Sequence, residues 1–327
     1  MDTGTHLVVG LGLAGLAYVD PAVASDSTLA AAVLVGTVAG SQAPDLDGLL
    51  RFRSNASYIR NHRGLSHSLP AIAIWTLLIT SILSLLFRGV SFGHLGLWVL
   101  IAVSFHVFSD LFNTYGTQAF RPITEKWISW NIIHIFDPII FSSHVIAILL
   151  WSLRLAEPMQ IFPALYILLA LYYVWRTIEH FNVGRSIKRK DPHYRPEHRY
   201  IWIPTIHLYN WNVVKQTGAH TYMLGEYRNG KLRWVDEAHS HEHPAIEASK
   251  AHPDVQSFMY FSSTVCSEIK EHRFGYEVRW TDVRYRHRKQ YPFVAVVLMD
   301  KEFRTIDSYV GWLSEGRVEK KLKISTY

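Results

Sequence analysis

Apolar residues fill long uninterrupted blocks up to about position 178, and from Glu179 onward the pattern becomes charged and aromatic. Leu69 to Phe87 is uncharged and close to the roughly 20 residues that cross a bilayer as a helix, and Gly93 to Phe112, Ile139 to Leu155 and Ile161 to Trp175 are comparable. These four predict transmembrane helices. Leu7 to Val19 and Leu29 to Gly40 are shorter, which predicts two tilted crossings or a re-entrant hairpin. Gly12 with Gly15 and Gly36 with Gly40 allow close helix packing, the second pair at the small-xxx-small spacing.

The second half carries strand periodicity. Asn229-Gly230 between Tyr222–Tyr227 and Leu232–Val235 is a two-residue hairpin signal. Tyr276 to Tyr285 alternates in strand fashion, and Phe293 to Met299 reads as a buried strand. Some helix is expected around Pro244 to Phe261. The fold class is therefore an α-helical membrane bundle, with four long and two short transmembrane or re-entrant helices, followed by a small cytoplasmic β-rich (α+β) domain. The boundaries expected are residues 1–180 for the bundle, 181–199 for a basic linker and 200–327 for the β-rich domain.

The net charge of +6 raises nucleic acid as a partner, but no basic helix or zinc-knuckle spacing accompanies it, so none is expected. Basic residues next to apolar helices orient the chain and meet anionic membrane lipid. Placing the segment after the last helix in the cytoplasm puts Arg51, Arg53, Arg60, Arg63, Arg121, Lys126 and the basic run from Arg185 to Arg199 inside, and leaves only Arg88 and Arg154 outside. Both the N-terminus and the C-terminal half are then cytoplasmic. A lone cysteine, Cys266, excludes an intramolecular disulfide and a cysteine-based zinc site. Met1–His6 lacks the basic start of a cleaved signal peptide, so the first apolar segment is expected to stay.

The same topology gathers the unusual polar residues. His6 before the first helix, Asp45 and Asp47 after the second, His62 and His67 before the third, His106 and Asp110 ending the fourth, and Asp137 before the fifth all fall at cytoplasmic ends. His106 and Asp110 are spaced i, i+4 and share a helix face, where they can offer two ligands to one ion. Asp45 and Asp47, spaced i, i+2 after Pro44 in a loop, suit bridging and terminal ligation; Gly64 permits a tight turn between His62 and His67. Imidazole and carboxylate without thiolate suit divalent zinc, manganese or iron. Two or more such ions lower the pKa of a bridging water and clamp a phosphoryl oxygen. Asp47, Arg63 and Arg121 are the expected catalytic residues, the two arginines as phosphate forks.

Plainer roles fit several of these positions. His6 suits a cap or interface residue, Asp45 and Asp47 suit helix caps or an Asx turn, and Asp137 before Pro138 suits the start of a turn. An unpaired Asp110 inside an apolar helix is too costly for such a reading. Asp137, His134 and His144 stand as extra ligands, with Ser66, Asn113 and Tyr115 as supporting residues. His239, His241 and His243 end at Pro244 without a second cluster and read as a solvated loop.

Thr5-His6, Pro44-Asp45-Leu46-Asp47, His62-Arg63-Gly64-Leu65-Ser66-His67-Ser68, His106-x-x-x-Asp110 and Tyr115-Gly116 ending near Arg121-Pro122 occur in that order. Together they resemble the YdjM-like bacterial membrane-bound metal-dependent hydrolases over residues 1 to about 180, and the length and C-terminal half are similar to the YfhP-like branch. The motif order also looks like the zinc-dependent phospholipase C and nuclease group, though the N-terminal tryptophan ligand of some of its members is absent. The resemblance implies a zinc cluster and a phosphoester substrate. The expectation is an inner-membrane hydrolase acting on a phospholipid or lipid-linked phosphate at the cytoplasmic surface. A metal transporter or sensor, or a regulatory protein docking an unknown protein partner through its C-terminal domain, are the alternatives.

Overall fold

A computed structural model describes residues 1–285, 291–313 and 315–322 of the chain. The chain divides into two compact units: Met1–Asp47, Arg63–Gly184 and Pro204–Leu208 in the first, and Gly48–His62, Arg185–Ile203 and Tyr209–Tyr327 in the second.

The first unit is helical. Helix α1 spans Thr3–Leu16, α2 Pro21–Ser25 and α3 Ser27–Gln42, which runs on as a 3-10 turn series over Ala43–Phe52. The second unit takes α4, Asn55–Asn61. The first continues with a 3-10 turn at Leu65–His67, α5 at Leu69–Leu86, α6 at Phe92–Leu111, α7 at Pro138–Ser152 and α8 at Pro158–Lys190. Four of these helical stretches are long and apolar enough to cross a membrane: Ser27–Phe52, Leu69–Leu86, Phe92–Leu111 and Pro158–Lys190. That set differs from expectation. The helix from Ser27 gains length through its 3-10 extension, whereas Pro138–Ser152 joins Thr3–Val19 among the shorter apolar helices.

Glycines bring these helices close. A Cβ on Gly36 would lie 2.8 Å from Val99 Cγ2, and one on Gly40 would lie 3.3 Å from the Val99 carbonyl oxygen, so α3 and α6 pack nearly backbone to backbone. Leu29, Ala32, Val33, Leu95, Val99 and Val103 fill that contact. Arg176 of α8 is buried, donating to the carbonyls of Leu208 at 2.8 Å and Ile132 at 3.3 Å, which ties Pro204–Leu208 to this unit. Helix α8 reaches Lys190, so the basic stretch from 181 begins as helix rather than as a linker.

The second unit holds two four-stranded antiparallel sheets with sequential strand order. The first comprises β1 Arg199–Pro204, β2 Asn210–Gly218, β3 Thr221–Arg228 and β4 Lys231–His239. Helices α9 Pro244–Ser249 and α10 Pro253–Phe261 follow. The second sheet comprises β5 Val265–His272, β6 Gly275–Asp282, β7 Phe293–Asp300 and β8 Thr305–Trp312, before α11 at Glu315–Lys321. The β3–β4 hairpin turns at Asn229 and Gly230, both with positive φ, as the dipeptide predicts. β7 is buried along nearly its whole length between β6 and β8. Helix α4 packs on α10 and β8 within this unit, with Arg60 stacked over Tyr260 at 5.0 Å.

Candidate metal centre

Three segments of the first unit bring carboxylates and imidazoles together. Asp45 lies in the 3-10 run after α3 rather than in a loop, His67 ends the turn before α5, and His106 and Asp110 occupy successive turns of α6. One donor atom from each of the four lies within 4.8 Å of every other. His106 Nε2 is 3.2 Å from His67 Nε2, 3.7 Å from Asp45 Oδ1 and 3.6 Å from Asp110 Oδ2. His67 Nε2 is 3.4 Å from Asp45 Oδ1 and 3.5 Å from Asp110 Oδ2. A tetrahedral zinc with bonds of about 2.0–2.1 Å sets its ligand atoms about 3.3–3.4 Å apart. These five distances bracket that spacing.

The hydrogen-bond partners of both rings fix which nitrogen faces inward. His106 Nδ1 is 2.7 Å from the Ser41 carbonyl oxygen, which only accepts, so the proton sits on Nδ1 and Nε2 presents a lone pair. Pro44, three residues on, has no N–H to donate to that carbonyl within the 3-10 run. Ser66 Oγ donates to Asp47 Oδ2 at 2.6 Å and so accepts from His67 Nδ1 at 2.9 Å, which turns His67 Nε2 inward as well. Burial lowers the His67 pKa against the upward pull of Asp45 and Asp47, which keeps the ring neutral near pH 7.

The Nε2 atoms of the two imidazoles therefore face each other and two carboxylate oxygens. Among the described residues Asp45 Oδ1 accepts no hydrogen bond, Asp110 Oδ2 has the Arg63 guanidinium 3.1 Å away, and neither nitrogen of buried His6 makes a hydrogen bond. Buried acceptors facing acceptors are repulsive and cost several kcal/mol in sum by the usual penalty of roughly 1–3 kcal/mol per unsatisfied group. A divalent cation removes that repulsion, so the donor set fits the group that the motifs imply. His6 stacks on His106 at 3.7 Å and 15°, with Nε2 3.4 Å from Asp110 Oδ1, beside the four.

Arg63 is the counter-charge beneath. It is buried, lies 3.1 Å from Asp110 Oδ2, and donates to Asn113 Oδ1 and to the Met1 carbonyl, each at 3.1 Å. The Met1 amino group contacts Asp110 Oδ1. Arg63 itself adopts a left-handed φ of 59°, the position in the turn that Gly64 was expected to serve. Its N–H donates to Asp47 Oδ2 at 2.9 Å, so the chain is stapled where it leaves the unit after Asp47 and where it returns. A non-glycine residue in that region costs about 1–3 kcal/mol, offset here by Asp47, Asp110 and Asn113.

His62 is the C-cap residue of α4, its ring 4.6 Å from Tyr58. Other expected site residues are engaged elsewhere. Arg121 pairs with Glu125 at 2.9 Å, so its fork is engaged by a carboxylate of its own turn. Asp137 is the N-cap of α7, accepting from Ile139 and Ile140 and from Tyr172 at 2.7 Å, so its oxygens are spent on capping rather than ligation. His134 Nδ1 bonds within its own turn to Phe136. His144 donates Nδ1–H to the Ile140 carbonyl and packs between Gly12 and Tyr166, outside the four-residue group. His243 caps α9, and His239 and His241 lie on and just after β4 in the second unit. Sequence reasoning did not find Ser41, whose only sequence signal is Pro44 three residues later.

Residues 1–183 match the family described as YdjM inner membrane protein, and residues 244–322 match the YfhP C-terminal alpha/beta plait domain. YfhP of Bacillus subtilis (strain 168) is 41% identical over 330 residues, covering all of both chains. No solved structure matches the chain. A match across more than half the chain, together with that full-length relative, establishes that the protein belongs to the YdjM inner membrane protein family.

Proposed function

We propose that the protein is a metal-dependent hydrolase of phosphoesters carried by lipid, working at the cytoplasmic surface of the inner membrane. The ring of four inward-facing donors from Asp45, His67, His106 and Asp110 carries this reading. Zinc suits the mixed nitrogen and oxygen set, and His6 with Asp110 Oδ1 offers ligands toward a second ion. When bound, such ions supply Lewis acidity toward a phosphoryl oxygen and an activated water.

The protein's own groups hold that arrangement ready. The Ser41 carbonyl and the Ser66–Asp47 pair lock the two imidazole tautomers, as partners of ligating histidines do elsewhere. Arg63 keeps positive charge against Asp110, where an anionic substrate gathers negative charge. The cytoplasmic placement rests on the basic residues at that end of the helices, against Arg88 and Arg154 at the other.

Purified protein in lipid nanodiscs should release phosphate or phosphorylated headgroup from a lipid phosphoester, lose that activity to a chelator and regain it with zinc or manganese. Chelator-insensitive release, or no release from any lipid phosphoester, defeats the proposal.

A further inference from the structure

Between α6 and α7 the chain makes a narrow excursion closed at Thr117 and Ile128, whose backbones exchange hydrogen bonds at 3.0 and 2.9 Å. Gly116 makes the closure possible: its φ is +68°, and a Cβ there would sit 2.1 Å from the Ile128 carbonyl oxygen. The base of the excursion is buried, with Thr117, Gln118 and Ala119 all covered. Its tip is the reverse. Ile123 is 90% exposed and Phe120 48% exposed, three positions apart in one turn.

Three observations give this tip a depth and a neighbourhood. The Ala119 carbonyl accepts the N–H of Leu69 at 2.9 Å, and Leu69 is the first residue of a helix apolar enough to cross the membrane. The tip therefore stands where the hydrocarbon begins. Exposed Lys126 and half-buried Trp127 follow it, and Trp130 is 40% exposed, the pairing of cation and indole that favours the membrane–water interface. Leu65 and Leu69, two positions either side of His67, and Leu46 between Asp45 and Asp47 are also exposed, so apolar side chains flank the candidate ligands in sequence.

The excursion is also bolted to the centre. Gln118 N–H donates to the Arg63 carbonyl at 2.9 Å, and Ser129 Oγ donates to the Asn113 carbonyl at 2.7 Å. Asn113 in turn donates to Asp110 Oδ1 at 3.1 Å.

We propose that residues 119–130 form a lipid-inserting rim of the metal centre: Phe120 and Ile123 enter the leaflet, Lys126 meets an anionic phospholipid headgroup, and phosphate is delivered to the centre on its lipid. The occupant is lipid because the tip is continuous with the membrane-facing start of α5 and carries an exposed cation beside its apolar residues. The delivery step rests on the hydrolase reading; insertion does not.

The two are separable by experiment. The only native cysteine, Cys266, is buried and its thiol is pushed up to about 12 by burial, so Ile123→Cys can be labelled selectively near neutral pH. With a polarity-sensitive fluorophore there, in vesicles of phosphatidylethanolamine and phosphatidylglycerol, emission should shift to the blue and be quenched by lipids spin-labelled just below the headgroup. Quenching by aqueous iodide, with no effect of the spin-labelled lipid, overturns the rim, as a protein-facing surface would give. In the same vesicles, the Phe120→Asp/Ile123→Asp variant should hydrolyse a long-chain lipid phosphoester at least tenfold more slowly while retaining turnover of a water-soluble aryl phosphate ester. Equal loss on both substrates overturns delivery. If the unaltered protein hydrolyses neither, the hydrolase reading and delivery fail together, and the fluorophore alone decides insertion.

Discussion

Each unit of this protein buries charge, and the two do it in opposite ways. In the second unit Lys215 is fully buried, yet its ammonium donates to Asp191 Oδ2 and to the His193 carbonyl, each at 2.7 Å. Tyr200 and Trp234 donate to the same carboxylate, at 2.5 and 3.3 Å, so donors and acceptors match. In the first unit, Asp45, His67, His106 and Asp110 bring carboxylate oxygens and imidazole nitrogens within 4.8 Å of one another, and Asp45 Oδ1 has no hydrogen-bond donor among the described residues. The first arrangement completes itself with protein groups, while the second has a donor set that could hold a cation. Burial of ionisable residues by itself does not mark a site; mismatch between donors and acceptors does.

The largest predicted effect separates the two directly. His106→Ala should abolish stoichiometric metal, measured by elemental analysis after dialysis, and His241→Ala should leave it unchanged. Metal retained by the first variant breaks the contrast.

Lys215→Ala is the converse test. Removing one partner of a buried pair strands the other, which typically costs roughly 3–5 kcal/mol, so thermal unfolding should move down sharply. Metal content of the protein that stays folded should be unaffected. Loss of metal in this variant would mean that the Asp191 network supports the centre after all.

Ser66→Ala should act more mildly, since it removes the hydroxyl that holds the His67 proton on Nδ1 and donates to Asp47 but leaves the four ligand atoms in place. Changes to such orienting partners typically cost about 10–100-fold in metal affinity. A competition titration with a chromophoric chelator would show it, and an unchanged affinity would exclude the orienting role.

Acidification gives the smallest effect. Burial raises the Asp191 carboxyl, but bonds from Lys215, Tyr200 and the His193 N–H outweigh it and hold its pKa below the ordinary carboxylate value. A depressed folded-state pKa contributes stability that is complete above about pH 4 and is lost as the pH falls through the folded value. Equilibrium unfolding of the intact protein should therefore weaken below about pH 4, and Asp191→Asn should flatten that part of the profile. An identical profile for the variant removes Asp191 from the account.

Much of this was legible from residue order. Runs such as Leu69–Leu86 and Phe92–Leu111 announce themselves because length and hydropathy are properties of a single segment. Asn229-Gly230 fixes its hairpin because both residues accept positive φ. His106 and Asp110 read as a pair because one helical turn joins them. The sequence also carried the ordered motifs of the YdjM family.

Tertiary structure alone decided which polar residues meet. Asp137 and Asp45 each flank an apolar helix and look alike in sequence, yet Asp137 spends its oxygens on a helix N-terminus while Asp45 keeps one bare. The segment from Gly48 to His62 belongs to the other unit, and Arg63 begins the return in a left-handed turn beside Asp110. Arg121 finds a carboxylate in its own turn. Lone-pair direction was equally out of reach, because it depends on the Ser41 carbonyl meeting His106 across the close packing of α3 on α6. Sequence determines periodicity and local turn chemistry, which act over a few residues; a coordination site needs close agreement among segments far apart in the chain, here Asp45, His67, His106 and Asp110, and only the packing of the helices supplies that.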